Sequence, residues 1–404
     1  MKSSPSESVA GKRALIFYHC FVTSVGGGPY LPLLLICELQ RRGYFVTLAL
    51  NRESYLEHAK KFFHVDFDTQ KVNMVIISPR NEFLKSWDYK RPFYRPWQLK
   101  KLAKDADICI STSTIMDFGK PAHYFISSRR SFWEAAFLKY VRHISPSKGF
   151  ASRVRRIWIF FVDTFFRPLI GVRATRKIVS DPRNHVYPNS QYINTLAHEF
   201  YGSFTGNVFY PPTMFKVTMK DVKRNPLQIN YVGRIHPEKH LEDIINIVEL
   251  ARDLSGLDLT LHIAGYLYEN SYVTMLKQTA KEKKWIQLVG PVYGEAKERF
   301  LLSGTYAVHA ERDEAFGISV TEYLKAGCIP IVPDEGGTVE VVDSPALTYH
   351  TNKDAALILA KLLQDEAFRK EQLAHCQERA KDFAMEIYME KQRLLLDRIL
   401  SKET

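Results

Sequence analysis

Residues His309–Val342 read HAERDEAFGISVTEYLKAGCIPIVPDEGGTVEVV. The pattern predicts a strand end, an acidic loop, a short helix, a second apolar strand and a Gly-Gly turn. Glu314 lies in the loop. Behind Gly317, apolar Ile318, Val320, Tyr323 and Leu324 recur at helical spacing. Glu322 falls on the second turn of that helix, and Gly327 stops it. Ile329–Pro333 has strand character up to Gly336-Gly337. Strand, helix and strand in this order predict a parallel α/β sheet.

The chemistry of this stretch suits a phosphorylated sugar. A helix starting behind Gly317 offers unpaired N–H groups and a positive dipole end, which favour a diphosphate. A carboxylate one turn further in, Glu322, can accept both hydrogens of a ribose diol. A second carboxylate at the loop tip, Glu314, can grip hydroxyls of a transferred group. Seven residues separate the two glutamates. EAFGISVTE matches the E-x-F-G-x-x-x-x-E block of the retaining glycosyltransferases of family 4 (glycosyl transferases group 1), and GGTVEVV matches its G-G-x-x-E continuation. The chain resembles that family, whose fold is GT-B: two Rossmann-like domains facing across a cleft, with a C-terminal helix crossing back to the first domain.

A second match lies upstream. After the predicted strand Leu227–Val232 comes Gly233-Arg234-Ile235-His236-Pro237-Glu238-Lys239, then a helix over Leu241–Arg252 with Leu241, Ile244, Ile245 and Val248 on one face. The resemblance makes Arg234 and Lys239 the cations that hold the donor diphosphate. Arg suits bidentate phosphate contact and Lys supplies a point charge. Fixed cations at the leaving group would dispense with a divalent metal, so no metal and no cofactor are expected. Phe316, Gly317 and Ile318 supply the N–H cradle. Gly290 and Val292, after the predicted strand Ile286–Val289, are implied contacts for the base. Predicted strands also cover Leu259–Ala264 and Tyr306–His309, and helices cover Ala355–Gln364, Phe368–Ala384 and Met385–Leu400.

The chain has 404 residues, 46% apolar and 25% charged, which predicts two globular domains. Five scattered cysteines without C-x-x-C spacing read as buried thiols of a reducing compartment. No signal-type segment and no run of eighteen apolar residues is present, so a cytoplasmic protein is expected. The net charge is +12, and twelve Lys/Arg against two acids lie between Arg129 and Lys177. Within that region RVRRIWIFFVDTFFRPLI reads as a helix. Its aromatics, Trp158, Phe160, Phe161, Phe165 and Phe166, could meet lipid and its arginines head groups, or it could pack on the sheet with arginines in solvent. The expected partners of this basic surface are anionic, namely a membrane face, a lipid phosphate or a nucleotide, and no nucleic-acid motif accompanies the charge.

The first half opens with a strand over Arg13–Cys20, a Gly26-Gly27-Gly28 loop, a helix ending at Gly43 and a strand over Phe45–Leu50, a βαβ unit. The resemblance places the glycine loop beside the cleft. Val72–Ile77 and Asp107–Ile110 read as strands and Trp97–Lys104 as a helix. Asp66-Phe67-Asp68 has the D-x-D form of a metal motif, but reads here as two surface aspartates. Pro121–Ser128 reads as a strand. Family members place a histidine at its end, where this chain has Ser127 and Ser128, the implied acceptor or sugar contacts. His123, near the strand start, reads as a core or edge residue. Ile178–Asp181 reads as the beginning of a strand run, and Asn189-Ser190 as a cap for a helix over Gln191–Phe200.

The expected organisation is a tail over 1–12, an acceptor-binding Rossmann-like domain over 13–212, a linker over 213–226, a nucleotide-sugar-binding Rossmann-like domain over 227–384, and a helix over 385–404 packing back on the first domain. The expected reaction moves a mannose- or glucose-type hexose from a UDP- or GDP-sugar to a hydroxyl with retention. The acceptor would be a lipid-linked saccharide or other glycan precursor at the cytosolic membrane face. A non-catalytic GT-B partner subunit and a sugar-nucleotide epimerase of similar fold are the alternatives.

Overall fold

The structure is a computed structural model, and it describes residues 11–19, 28–79, 94–127 and 169–401. Contacts divide the chain into two units: Met1–Asn189, Ile193–Phe209 and Leu396–Thr404 form the first, and Ser190–Tyr192 and Tyr210–Leu395 the second.

The first unit contains β1 (Arg13–Tyr18), α1 (Tyr30–Arg41), β2 (Phe45–Leu50), α2 (Leu56–Phe62), β3 (Val72–Ile76), α3 (Tyr94–Ala103), β4 (Ile108–Ser111), β5 (His123–Ile126), α4 (Thr175–Val179), β6 (His185–Pro188) and α5 (Gln191–Tyr201). The strands run in the order β3-β2-β1-β4-β5-β6. Every paired neighbour is parallel. β1 and β4 are covered on both faces, so their apolar residues form a continuous run rather than alternating.

The second unit repeats this plan. It contains β7 (Asn225–Val232), α6 (Leu241–Ser255), β8 (Thr260–Ala264), α7 (Ser271–Glu282), β9 (Ile286–Gly290), α8 (Gly294–Ser303), β10 (Gly304–Val308), α9 (Ile318–Lys325), β11 (Ile329–Pro333), α10 (Thr338–Val342), β12 (Thr348–Tyr349), α11 (Asn352–Gln364), α12 (Glu366–Asp382) and, as far as Leu395, α13 (Met385–Ser401), whose end belongs to the first unit. Its strand order, β12-β11-β10-β7-β8-β9, is the same doubly wound order as the first sheet. The direction of winding reverses between β7 and β10, so the carboxyl ends of these two strands border the crevice where such sheets bind ligands. The core beneath it includes Ile229, Tyr231, Ile244, Val248, Leu261 and Val320.

Two sequence readings are corrected. Ile178–Asp181 does not begin a strand; Ile178 and Val179 end α4, where both are buried against the first unit. Two β-branched residues supply the strand signal there, and their burial as the packed end of a helical turn overrides it. Residues 213–226 are not a free linker: Phe215, Met219 and Val222 pack into the second unit's core, and β7 already begins at Asn225. Buried Glu298 fastens the segment by accepting from the backbone N–H of Met219 at 2.6 Å and the Thr218 hydroxyl at 2.7 Å. Helices α2, α7 and α8 also go beyond the sequence reading.

Other readings fall as expected. Asp66 is fully exposed beside Lys60, and Asp68 caps a turn by accepting from the Gln70 N–H at 2.9 Å. His123 is buried, stacked on His185 at 5.2 Å and within 3.2 Å of the Tyr187 hydroxyl. Cys37, Cys109, Cys328 and Cys376 are buried. In the first unit, Asp397 near the end of α13 accepts from Arg42 at 2.5 Å. Gly26, Gly27, Ser128 and the basic aromatic stretch around Arg153–Phe166 lie outside the described residues. No helix among the described residues is long and apolar enough to cross a membrane.

Candidate donor site at the carboxyl ends of β7 and β10

β10 delivers His309 to the sheet edge, where its N–H bonds the Ile331 carbonyl and its own carbonyl accepts from the Tyr349 hydroxyl. The following loop is held by backbone packing. The Gly337 N–H donates to the Glu314 carbonyl at 2.7 Å. A Cβ at Gly336 would collide with the Arg312 carbonyl, and one at Gly337 with the Ala315 carbonyl. Gly336 also has φ +85°, in the left-handed region. The glycine pair is thus the seat on which the acidic loop rests.

Phe316 anchors the loop from below. Its ring is buried and packs on Tyr210 at 5.8 Å and Phe383 at 5.6 Å. Only its backbone can therefore serve a ligand. Gly317 takes φ +95° to start α9, and a Cβ there would stand 2.7 Å from the Thr338 methyl. The N–H groups of Val320 and Thr321 both turn onto the Gly317 carbonyl. The open donors of this helix start are consequently those of Ile318 and Ser319.

Lys239 approaches from the loop after β7. Gly233 has no room for a side chain, since a Cβ would lie 2.6 Å from the Tyr231 hydroxyl. Pro237–Lys239 form a single tight turn, and His240 takes a left-handed conformation (φ +49°) before α6. This turn aims the Lys239 ammonium into the acidic loop, where it bonds Glu314 at 2.5 Å and also bonds Glu311. His309 lies behind, its Nε2 3.8 Å from Glu314.

The electrostatics follow from this crowding. Burial opposes ionisation of Glu314, but Lys239 outweighs it and holds the carboxyl at about 2. Burial also opposes the charge on Lys239, yet Glu314 and Glu311 together raise its pKa. Glu311 moves the other way: burial and the Glu314 charge raise it despite the ammonium. Burial pushes His309 down to about 4, so its ring is neutral near pH 7. Donor atoms of His309, Glu311 and Glu314 lie close enough together to hold a cation. The ammonium bonded to both carboxylates is the cation the structure places among them.

His309 carries a consequence for stability. Its folded pKa lies below the unfolded value of 6.5, so the unfolded chain takes up a proton first as pH falls. Stability is present above pH 6.5 and is expected to decline toward pH 4, by on the order of 3 kcal/mol from this residue. Chemical denaturation from pH 7 to 4 should show the decline, with His309→Asn removing part of it. Identical pH dependence in both proteins would contradict this.

Glu322, on α9, is buried, and its carboxylate bonds the Lys297 ammonium at 2.6 Å. Lys297, on α8, is absent from the sequence reading. Nothing in spacing could have found it, because 25 residues and a strand separate the partners. Each of the two glutamates is therefore matched to its own lysine. Arg234 stands apart from both pairs: its side chain is largely exposed, with Glu238 at 3.9 Å. Gly290 has φ +83°, and its carbonyl accepts from the Gly265 N–H at 2.9 Å. Val292 is half-buried against the core that contains Val232. In the first unit, Gly28 lies near the Tyr18 hydroxyl, and Ser127 is exposed with its carbonyl 3.3 Å from the Asn189 amide.

Two parallel six-stranded sheets with helices, wound in the same order, define the two-domain GT-B architecture. HepE of Anabaena, solved in complex with UDP and glucose, has this fold: TM-score 0.63 at 14% identity over 96% of this chain and all of HepE. So has WaaG, described as a glycosyltransferase involved in lipopolysaccharide biosynthesis, with TM-score 0.63 and 12% identity over 94% of this chain and 98% of WaaG. Residues 217–383, less than half of the chain, match the family Glycosyl transferases group 1. A curated relative, O-antigen chain mannosyltransferase B of Escherichia coli, is 23% identical over 159 residues. That match covers 39% of this chain and 42% of the length of the relative.

Proposed function

We propose that the protein is a retaining glycosyltransferase that moves a mannose- or glucose-type hexose from a UDP- or GDP-sugar to a hydroxyl acceptor. The observation that carries this reading is the Lys239–Glu314 pair beside the open N–H groups of α9, at the point where the winding of the second sheet reverses. The match of residues 217–383 to Glycosyl transferases group 1, the UDP bound by HepE and the mannosyltransferase name of the curated relative support it.

In this reading the diphosphate lies at the start of α9, with Lys239 and Arg234 stabilising the charge that grows as the glycosyl–phosphate bond breaks. Glu322 accepts from the ribose diol, and Glu314 orients the transferred sugar. The acceptor hydroxyl attacks from the same face as the departing diphosphate. A diphosphate oxygen takes its proton, so configuration is retained. Protein cations supply the electrostatic role that a divalent ion fills elsewhere. Gly290 and Val292 border the base. The first unit binds the acceptor, with Ser127 and Ser128 as contacts for acceptor or sugar hydroxyls.

The reaction is tested by incubating the protein with UDP-glucose or GDP-mannose and an alkyl glycoside acceptor. Nucleoside diphosphate release and the anomeric proton of the product are followed by NMR. A product with the donor's anomeric configuration is expected. Release from neither donor above a protein-free control, or inversion, contradicts the reading. We further propose a lipid-linked acceptor at a cytosolic membrane face, on the charge of residues 129–177. Co-sedimentation with anionic vesicles should exceed that with neutral ones, and equal, negligible binding would remove this part.

A further inference from the structure

We propose that Glu311 is a positioning residue: it holds the Lys239 ammonium against Glu314 in the donor-free protein and releases it, taking a proton from solvent, when a diphosphate binds. The proposal rests on the transferase reading above. Glu311 lies outside the E-x-F-G block, and the sequence offers it only as part of an acidic loop. The structure makes it Lys239's second carboxylate partner.

The geometry has a consequence for binding. One ammonium faces two carboxylates, so with both ionised the donor-free cluster of Lys239, Glu311 and Glu314 carries a net negative charge. An entering diphosphate brings more negative charge to the same ammonium. The cluster can relax by protonating one carboxylate, as paired acids do when they cannot both ionise. Glu314 is the poorer candidate, because Lys239 holds it strongly ionised. Glu311 is the better one, because burial and the Glu314 charge already raise it.

Among the described residues, the groups facing Glu311 are few. Lys239 comes from the β7–α6 loop and Glu314 from Glu311's own loop. Behind them, His309 at the end of β10 faces Glu314 and is neutral near pH 7. Tyr231 of β7 feels both carboxylates and stays protonated because burial raises it well above its ordinary value. Arg312 is turned away, onto Asp334 and the His350 carbonyl. None of these supplies the proton near pH 7, so solvent must.

Calorimetric titration with UDP and GDP from pH 6 to 8, in buffers of different ionisation heat, tests the idea on the full chain. The nucleotide's own phosphate ionisation is common to all proteins compared, so differences between them are read. Wild type is expected to take up more proton on binding than Glu311→Gln, and to lose up to about tenfold more affinity per pH unit. Glu311→Gln should bind up to about tenfold more tightly at pH 8, and Glu311→Asp should restore the pH slope. Wild type and Glu311→Gln with the same slope and affinity would overturn the role of Glu311 while leaving the transferase reading intact. Absence of UDP and GDP binding by wild type at every pH would overturn both.

Discussion

Lys239→Ala is expected to slow sugar transfer by roughly 10²–10³-fold, the usual cost of losing a preorganised group that meets charge as it develops. The ammonium is not a surface charge. It is largely buried, fixed by the tight turn Pro237–Lys239 and bonded to two carboxylates. Removing it deletes the cation nearest the proposed leaving group and leaves Glu311 and Glu314 facing each other without compensation. Lys239→Arg should recover little, because a planar guanidinium does not fit a point between two carboxylates. Single-turnover release of nucleoside diphosphate measures the effect, with circular dichroism to confirm folding. Transfer within threefold of wild type would show that the charge is stabilised elsewhere.

Glu322→Ala should act on binding instead. The carboxylate is buried and paired with Lys297, so the variant leaves that ammonium, and the ribose in the proposed donor complex, without an acceptor. Hydrogen bonds to a charged group are worth about 1.5–3 kcal/mol, which corresponds to a roughly 10- to 100-fold rise in donor KM. The turnover number should change much less, since the ribose contact is the same in ground and transition states. A loss confined to the turnover number would move Glu322 from donor binding to chemistry.

The sheets were the most readable part of the sequence. Strands such as Phe45–Leu50 and Ile329–Pro333 are short apolar runs between breakers, and parallel strands buried on both faces have that composition. The Gly-Gly turn was readable for a similar reason, because only glycine permits the close backbone approach seen at Gly336 and Gly337. Helix α7 was harder, since only Val273 and Leu276 of its residues are buried. The segment before β7 looked like a linker because its composition is polar, while its attachment depends on Glu298, some eighty residues later.

The site shows the same division. Lys239, Glu314 and Glu322 sit in short motifs that single them out by residue type, and each takes part in an ion pair at the candidate site. Lys297 and Glu311 do not. Their roles come from contacts across the chain, Lys297 to Glu322 and Glu311 to Lys239, and neither spacing nor composition encodes those. Arg234 shows the converse: the motif names it, and the structure leaves its side chain largely exposed, outside both ion pairs.

Crystallography of the protein soaked with UDP or GDP bears most directly on the central claim. The diphosphate should lie against the start of α9 within hydrogen-bonding distance of the Lys239 ammonium, with the ribose hydroxyls on Glu322. A nucleotide bound elsewhere, with the Lys239–Glu314 and Lys297–Glu322 pairs undisturbed and no contact to either, would contradict it.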